Sequence, residues 1–561
     1  MILRSVADRP MDVVKAVVVA TCWILTAAVI VTHLDGALYP SLTVGVGLVV
    51  AMLAGIVLFV PSLPTKLVLT LIVALSVFYR TYIVLFPASY LGMDPDKFAA
   101  AMVVLMKTGR VTTLDFNFYG EAPAFLVSGA MTGQVLGLPG LAILDVYAVA
   151  FGFFFPLVGY VLARSLATTR AGLYAALLGS VATASVMWSV MPIAQTLAVA
   201  FWLMLLFVLG QYLEGKQHRY VILTFVLAVS LLYTHKATTL LVFGTIVACA
   251  IAIFVNRDRW SFDAVRQATS VSTLFVLALL SAVFVFIQLA ILTDYLPLVV
   301  GRLLVALGSG GGTTTPPPID PTAAVPVAQD LASFVFRRSY GLLLVPLAGL
   351  GWFLLYRRSD SNYVSTVLAG SAVAVALMSV GVVSLSAVNP SRIYFFAELL
   401  FCVLVAATIL NRHRPGQRRR LLVAVLLPLL LFSQLATPLV APDHPQGERQ
   451  YLTAQEVEAK QFSGHIPGRI ATDMYYAREV VQLNDQEAND RTYVSVDGQL
   501  LNGTVTENGN TSYVAFREDA RVYRLYGQLK GRWRLTYNPT PRYDRAYDRV
   551  YTNGGVSVYD R

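Results

Sequence analysis

The sequence predicts a polytopic α-helical membrane protein of about thirteen transmembrane helices, followed by a small C-terminal extracytoplasmic α+β domain. Hydrophobic residues make up 57% of the 561 residues and charged residues only 13%, far below the quarter that is typical of soluble domains. The apolar residues also form blocks long enough for a helix to cross the hydrocarbon core, with short polar segments between them. This pattern is typical of a helical bundle.

Thirteen apolar blocks define a predicted membrane domain over residues 1–440. The predicted spans lie near residues 12–33, 41–60, 66–87, 139–163, 171–190, 193–214, 220–234, 237–255, 270–293, 339–356, 363–387, 393–411 and 420–438. Cys22, Cys249 and Cys402 all fall inside these blocks, so neither a disulfide framework nor a zinc site is expected.

The distribution of Lys and Arg predicts the orientation. With a cytoplasmic N-terminus, the basic residues gather in the segments expected inside, for example Arg357-Arg358 and Arg418 to Arg420, and Arg337-Arg338 is the main exception. An odd number of spans then places residues 441–561 on the extracytoplasmic side. We therefore expect a multi-pass protein of the cell membrane. The net charge of +10 is spread over these short loops. It therefore indicates membrane lipids as partners and no nucleic acid.

Three outer segments are too long to be simple connections: residues 88–138, residues 308–332 and the tail from Ala441 onward. Residues 88–138 form an external loop with an amphipathic helix predicted over Phe98 to Lys107 and an apolar stretch from Ala122 to Leu138. The Gly- and Pro-rich run Gly308 to Pro318 predicts a flexible external loop.

The polar tail after residue 440 has its own secondary-structure signals. Tyr451 to Gln461 is typical of a helix with Thr453 as N-cap and Glu456 at the capping-box position. Alternating segments predict strands at 492–496, 511–516 and 555–559. Together they indicate one small α+β domain. We do not expect this domain to hold the catalytic carboxylate, because the candidate charges gather at the membrane face.

Asp94 and Asp96 are the first candidates for chemistry, because they follow the third span on the predicted outer face. Two carboxylates at i and i+2 suit a general base and a cation ligand. The alternative is structural, since Asp94 followed by Pro95 is also the signature of an N-cap with proline in the first turn. The two roles are compatible.

Basic residues at two further outer positions suit an anionic headgroup. Lys236 and His235 follow the seventh span, and Arg392 opens the twelfth, where a guanidinium group can hold a phosphate bidentately. His235 could also transfer a proton. The alternatives are a lysine that marks a turn and an arginine that snorkels to the interface.

Three charges lie inside predicted spans, where each is costly: Arg80, Asp145 and Glu398. All three fall in the outer half of their spans, which predicts one polar cavity that opens outward. A structural pair, for example Arg80 with Asp145, is the alternative.

The external loop contains the segments Gly92 to Phe98, Thr108-Gly109-Arg110 and Tyr119-Gly120-Glu121-Ala122-Pro123. With these segments, the loop resembles the first external loop of GT-C membrane glycosyltransferases. Thr234-His235-Lys236, the helix start at Arg392 and the external tail with Val550 to Val556 also look like archaeal members.

The resemblance implies transfer of a sugar, such as mannose, from a polyprenyl (dolichyl) phosphate carrier to a glycan, lipid or glycoprotein acceptor on the outer face. Asp94 would be the base, with Asp96 as the competing choice. Arg392, Lys236 and His235 would stabilise the leaving phosphate, and Arg80, Glu121 and Glu398 would help to bind substrate. No cofactor is certain, and a divalent cation is allowed. The tail lacks the Trp-Trp-Asp-Tyr-Gly motif of oligosaccharyltransferases, which argues against transfer of a whole oligosaccharide to asparagine.

Two other functions remain open at this stage. An envelope polysaccharide polymerase or ligase would use similar outer arginines with a longer lipid-linked glycan. A transporter or lipid flippase would show internal repeats and broken helices near the midplane. The sequence has no convincing repeat, and its charges gather toward one face.

Overall fold

The structure is a computed structural model, and its description covers most of the chain. The described residues are 10–36, 38–60, 62–92, 94–114, 118–138, 142–215, 219–255, 264–292, 301, 319, 321–327, 331–358, 362–383, 390–410, 417–440, 449–480, 489, 492–504, 511–525 and 531–561. Gly308 to Pro318, the predicted flexible loop, lies outside them.

The part before residue 441 is helical, with an external helical hairpin between the third and fourth spans. Its helices are α1 (Pro10–Asp35), α2 (Ser41–Phe59), α3 (Thr65–Leu85), α4 (Asp94–Thr108), α5 (Phe118–Glu121), α6 (Ala124–Leu136), α7 (Asp145–Leu166), α8 (Thr169–Val181), α9 (Thr183–Val190), α10 (Ala194–Leu213), α11 (Arg219–Leu232), α12 (Lys236–Val255), α13 (Ala264–Phe286, continued by a π turn Ile287–Leu292), α14 (Leu331–Arg358), α15 (Asn362–Val383), α16 (Pro390–Ile409) and α17 (Gln417–Val440).

Each of the thirteen predicted spans coincides with a helix or, for the fifth, with the pair α8 and α9. Among the described residues, eight helices are long and apolar enough to cross a membrane, and α8 with α9, bent by 51°, makes a ninth. The remaining four, α11, α12, α15 and α17, contain shorter apolar stretches. The predicted fold class is therefore confirmed.

Hydrogen bonds between loops show which helix ends lie together. At one end of the bundle, the hydroxyl of Thr168 donates to the carbonyl of Leu410 (3.0 Å), and Arg170 donates to the carbonyl of Val60 (2.6 Å). At the other end, the N–H of Ala124 donates to the carbonyl of Tyr233 (3.0 Å). If thirteen successive spans run in alternating directions, each of these contacts joins two helix ends that lie on the same side of the membrane.

The tail contains two sheets and several short helices. Its elements, with one strand from the loop before α14, are β1 (Ala324–Pro326), α18 (Ala454–Ser463), β2 (Ile470–Thr472), α19 (Met474–Arg478), β3 (Tyr493–Ser495), α20 (Asp497–Leu501), β4 (Tyr513–Arg517), β5 (Val522–Leu525), β6 (Gly531–Leu535), α21 (Thr540–Ala546), β7 (Asp548–Thr552) and β8 (Val556–Asp560). The strand orders are β3-β2-β4-β8-β7 and β1-β6-β5.

The larger sheet combines parallel and antiparallel strands, and the smaller sheet combines strands from two parts of the chain. In the larger sheet, β2 runs parallel to both β3 and β4, whereas β4, β8 and β7 pair antiparallel. In the smaller sheet, β1 comes from the outer segment between α13 and α14 and pairs antiparallel with β6. The tail therefore takes one edge strand from the membrane part of the chain.

The sequence signals of the tail agree with these elements. Thr453 caps α18 by accepting from the N–H of Glu456, and the Glu456 carboxylate accepts from the N–H of Thr453, which completes the predicted capping box. The three predicted strands correspond to β3, β4 and β8, while β1, β2, β5, β6 and β7 were not predicted.

Aromatic packing holds the external hairpin together and fixes it to the bundle. Within the hairpin, Phe98 of α4 lies edge-on to Tyr119 and Phe125, with ring centroids 5.1 and 5.3 Å away. Phe125 in turn packs against Tyr147 of α7, with ring centroids 5.2 Å apart. The segment before α4 is tied to the tail, because the N–H of Leu452 donates to the hydroxyl of Ser89 (2.7 Å). The first turn of α4 is thereby held between the bundle and the tail.

Candidate active site

A cavity of about 230 Å³ lies where the bundle, the external loop and the tail meet. The loop contributes Gly92, Asp94 and Pro95, and the bundle contributes Met187, Trp188, Met191, Ile193 and Arg392. The tail contributes Arg449, Gln450, Asp473, Met474, Tyr475, Arg478, Asp497, Arg517, Val522 and Tyr523.

The turn that leads into α4 requires a glycine. Gly92 has a φ of +84°, and its N–H donates to the carbonyl of Gln450 (2.8 Å). A Cβ at this position would lie 2.9 Å from the sulfur of Met191. The loop can therefore pass close to both the bundle and the tail, which sets the position of Asp94.

Asp94 and Arg392 form an ion pair at the cavity. An Nη2 of Arg392 donates to Oδ2 of Asp94, and the guanidinium group lies 5.1 Å from the centroid of the Trp188 ring. The two side chains are 45% and 38% exposed, so ligands can reach both. Tyr119 lies close to the pair, and burial raises the pKa of its hydroxyl to about 12. A predicted base and a predicted phosphate ligand thus meet in one place.

Asp96 has a different environment from Asp94. It is 2% exposed, does not line the cavity, and its Oδ1 has no hydrogen-bond partner among the described residues. Burial raises its pKa well above the usual range, the Glu479 carboxylate raises it further, and Lys460 opposes the shift. Of the two carboxylates, only Asp94 faces the cavity.

His235 lies in the turn between α11 and α12, Lys236 is the first residue of α12, and neither residue lines the cavity. The Nδ1 of His235 is 3.1 Å from the hydroxyl of Thr238, and its ring packs against Phe396. Burial lowers the pKa of His235 to about 3, and Lys236 and Arg392 lower it too. The imidazole is therefore neutral at physiological pH, which does not fit a role as a cationic phosphate ligand.

Arg80 and Glu398 do not line an outward cavity as expected, because both are fully buried at the break between α8 and α9. Arg80 donates to the carbonyl of Ser180 (2.7 Å), near the C-terminus of α8. Glu398 accepts from the N–H groups of Ala184 (3.0 Å) and Ser185 (2.7 Å), at the N-terminus of α9. Arg80 thus binds carbonyl groups that lack a partner within the helix at the C-terminus of α8, and Glu398 binds N–H groups that lack a partner within the helix at the N-terminus of α9. Each charge also complements the dipole of the helix end that it contacts.

The other two charged candidates lie away from this cluster. Asp145 is the first residue of α7 and so lies at the end of its span, and Arg80 forms its described hydrogen bonds with serines and with carbonyls instead of Asp145. Glu121 ends the short helix α5, is exposed and does not line the cavity.

The tail supplies charged residues that the sequence analysis missed. Asp473 caps α19 by accepting from the N–H groups of Tyr475 (2.9 Å) and Tyr476 (3.1 Å), and it holds Arg517 through two hydrogen bonds of 2.7 and 2.9 Å. Glu456 pairs with Arg449 and lies 3.6 Å from Arg517. One signal could have revealed this cluster, namely an arginine that directly follows the apolar run of β4.

Asp497 completes the charged wall of the tail. Its carboxylate accepts from the N–H of Met474 (2.9 Å). Burial raises its pKa to about 7, with a further contribution from the neighbouring Asp473. Near neutral pH, Asp497 therefore carries only part of a charge.

A divalent cation does not fit this donor set. The described residues contain no group of three or more His, Cys, Asp or Glu side chains placed to hold a metal. Three carboxylates line the cavity, but Asp94 is paired with Arg392, Asp473 with Arg517, and Asp497 binds a backbone N–H. The four arginines of the cavity would also repel a cation.

No family model and no curated protein sequence matches this chain. Among solved structures, the Archaeoglobus fulgidus oligosaccharyltransferase in its apo form has a TM-score of 0.48 at 13% identity, over 85% of this chain and 70% of that one. ArnT from Cupriavidus metallidurans bound to undecaprenyl phosphate has a TM-score of 0.39 at 13% identity, over 89% and 98%. The arabinofuranosyltransferase AftD from Mycobacteria has a TM-score of 0.42 at 14% identity, over 88% and 41%.

At this level of similarity, these structures assign no role to any residue of this chain.

Proposed function

We propose that this protein is a membrane glycosyltransferase that moves a sugar from a polyprenyl-phosphate carrier to an acceptor at the outer face of the membrane. The observation that supports it best is the half-exposed Asp94–Arg392 pair at a cavity between the bundle and the tail. The reaction needs a carboxylate that acts as the base and a cation that binds the phosphate. Asp94 and Arg392 can provide these two groups.

Arg392 is proposed to bind the phosphate of the carrier. It lies in the first turn of α16, and its Nε has no hydrogen-bond partner among the described residues, so further donors remain for a phosphate. The Trp188 ring and the Gln195 side chain, which donates to the carbonyl of Arg392, hold the residue in place. Lys236 is proposed to add positive charge nearby, since it acts with Arg392 on the pKa of His235.

Binding of the phosphate to Arg392 would compete with Asp94 for the same guanidinium group. The carboxylate of Asp94, once released, would accept the proton of an acceptor hydroxyl. The acceptor oxygen then forms a bond to the anomeric carbon, while the bond between that carbon and the phosphate oxygen breaks. The phosphate leaves with the electron pair, held by Arg392, and the anomeric configuration is inverted.

His235 has no proton-transfer role in this scheme. A phosphate leaving group needs little acid assistance, and the neutral imidazole already contacts Thr238. No step is assigned to a metal ion.

The decisive experiment uses purified full-length protein and a panel of polyprenyl-phosphate sugars, with mannose among them. We expect Asp94→Asn to lower sugar transfer by about 10²- to 10⁴-fold, the usual contribution of a positioned base. The same variant should bind the donor at least as tightly as the wild type, because Arg392 no longer has to exchange one anion for another. Arg392→Ala should weaken donor binding.

Two controls separate catalysis from folding. Asp94→Ser keeps a small polar side chain at the start of α4 but is a poor base, so retained transfer in this variant would show that Asp94 is structural. Asp96→Asn should transfer sugar normally, because Asp96 does not face the cavity. Loss of transfer in Asp96→Asn with transfer retained in Asp94→Asn would reverse the assignment.

A further inference from the structure

The tail side of the cavity has three arginines, Arg449, Arg478 and Arg517. The scheme above uses none of them. They belong to a folded domain outside the bundle, whereas Arg392, the proposed ligand of the carrier phosphate, belongs to a membrane helix.

Two of these arginines are buried with unused donors. The side chains of Arg449 and Arg517 are 5% and 4% exposed. Within the described part of the chain, Nε of Arg449 and Nη1 of Arg517 have no hydrogen-bond acceptor, and the latter atom lies 3.6 Å from Glu456 in an ion pair that is not a hydrogen bond. A buried guanidinium N–H without an acceptor is unfavourable, so an acidic ligand that supplied one would be stabilised there.

The same two arginines are held in place by fixed carboxylates. Glu456 is part of the capping box of α18, and Asp473 is the N-cap of α19. Arg449 also lies 5.7 Å from the Tyr451 ring centroid, and Arg517 lies 5.8 Å from that of Tyr475. The donors are therefore arranged before any ligand binds, which lowers the entropic cost of binding.

The charge balance of the tail wall favours an anion. Arg449 and Arg517 are matched by Glu456 and Asp473, so the charges left over are those of Arg478 and Asp497. Arg478 is exposed at the end of α19, whereas burial raises the pKa of Asp497 to about 7 and so disfavours its charged form. The charge left over is therefore weighted toward Arg478.

We propose that Arg449, Arg478 and Arg517 form a second anion site, which binds a carboxylate or phosphate on the part of the substrate away from the lipid. This inference rests on the proposed function, since it places the lipid phosphate at Arg392. The acidic group would belong either to the transferred sugar or to the acceptor. In both cases, the tail selects acidic glycans or other acidic acceptors.

Binding is tested first, without any need for turnover. Full-length protein in detergent is titrated calorimetrically with glucuronate and inorganic phosphate, and with glucose as the neutral counterpart of glucuronate. We expect saturable binding of the two anions and none of glucose. Arg478→Ala and Arg449→Lys should each weaken anion binding about tenfold, because a charge-assisted hydrogen bond is lost.

The variants are chosen so that folding is preserved. Arg478 is exposed, and lysine at position 449 keeps a positive charge beside Glu456 while it removes the guanidinium group. Arg545→Ala is the matched control, because Arg545 is an exposed arginine of the same domain that does not line the cavity. Unchanged anion binding in both cavity variants, or a failure of the wild type to bind either anion, would overturn the proposal.

A third variant separates the two anion sites. Arg392→Gln should lose binding of a polyprenyl phosphate but keep that of glucuronate. If glucuronate binding disappears with Arg392, the anions occupy the carrier-phosphate site and the second site does not exist.

Transfer assays then identify the source of the acidic group. One reaction pairs an acidic donor sugar with a neutral acceptor, and the other pairs a neutral donor sugar with an acidic acceptor. Arg478→Ala should slow only the first reaction if the sugar is bound and only the second if the acceptor is bound; an effect on neither contradicts the proposal. Absence of transfer by the wild type with every donor would count against the proposed function alone, because anion binding is measured separately.

Discussion

Asp94 and Asp96 are two residues apart on the same helical turn, yet their surroundings give them different chemistry. Asp94 is half-exposed beside Arg392, whereas Asp96 is enclosed near Glu479 and Lys460 of the tail. The sequence predicts the pair and its place after the third span. It could not predict which carboxylate is covered, because residues almost four hundred positions later provide the cover.

Asp96 should make stability depend on pH with an unusual sign. Its pKa in the folded protein is raised, so the folded state binds a proton more tightly than the unfolded state does. Stability is then highest below the usual carboxyl pKa and falls as the pH rises toward the raised folded pKa. Lys460 opposes the shift caused by burial and Glu479, and Tyr90 is a further titratable neighbour.

We therefore expect Asp96→Asn to flatten this decline and to stabilise the protein at pH 8 relative to the wild type. Thermal unfolding in detergent between pH 5 and 8 would measure it. The comparison variant is Asp544→Asn: Asp544 is exposed, and hydrogen bonding from Arg549 lowers its pKa, so its removal should not stabilise the protein at pH 8. If the pH dependence of stability is the same in Asp96→Asn as in the wild type, Asp96 is not the group that causes the decline.

At the level of elements, the bend between α8 and α9 is the clearest departure from expectation. A continuous span was predicted over residues 171–190, but the helix breaks at Ala182 with a bend of 51°. No proline lies at the break, but Gly179-Ser180 directly before it is a residue pair at which helices often bend. A second signal was the pair of charges Arg80 and Glu398, which form hydrogen bonds with the backbone at the break and do not line a substrate cavity.

Glu398→Leu should destabilise the protein by about 3 to 5 kcal/mol, since it leaves two buried N–H groups without an acceptor and removes the buried carboxylate that interacts electrostatically with Arg80. Thermal unfolding in detergent would show the loss. Glu398→Gln retains an acceptor and should lose less. Because α9 carries Trp188 beneath Arg392, Glu398→Leu should also weaken donor binding; full stability in this variant would exclude the capping role.

The elements that were predicted correctly depend on local patterns. Apolar blocks predict the spans, and the spacing of Thr453 and Glu456 predicts the cap of α18. The missing elements depend on distant partners: β1 exists because β6 pairs with it, and the arginines of the cavity meet Asp94 only after the tail folds onto the bundle. A pattern within one segment contains no information about such contacts.

At the scale of the whole molecule, contacts between distant segments define one end of the bundle. The loop after α3, the loop that contains β1, the start of α16 and the tail all meet at one end of the bundle. The charge distribution predicts that this end is extracytoplasmic and that the N-terminus is cytoplasmic.

Cysteine labelling of intact cells tests this orientation. After Cys22, which is exposed on the surface of its span, is replaced, Ser495→Cys should react with an impermeant reagent and Ser165→Cys should not. Both serines are exposed, one in the tail and one at the opposite end of α7. Reaction at position 165 without reaction at position 495 would show that the orientation is the opposite of the predicted one.

The strand taken from the loop before α14 also affects the order in which the protein can be completed. The hydroxyl of Thr536 donates to the carbonyl of Thr322, 214 residues earlier in the chain. During synthesis, β1 exists long before β6 and must wait while the four helices α14 to α17 are made. The outer domain can thus close only after the last helix is in the membrane, so completion of the cavity reports that the whole bundle has been assembled.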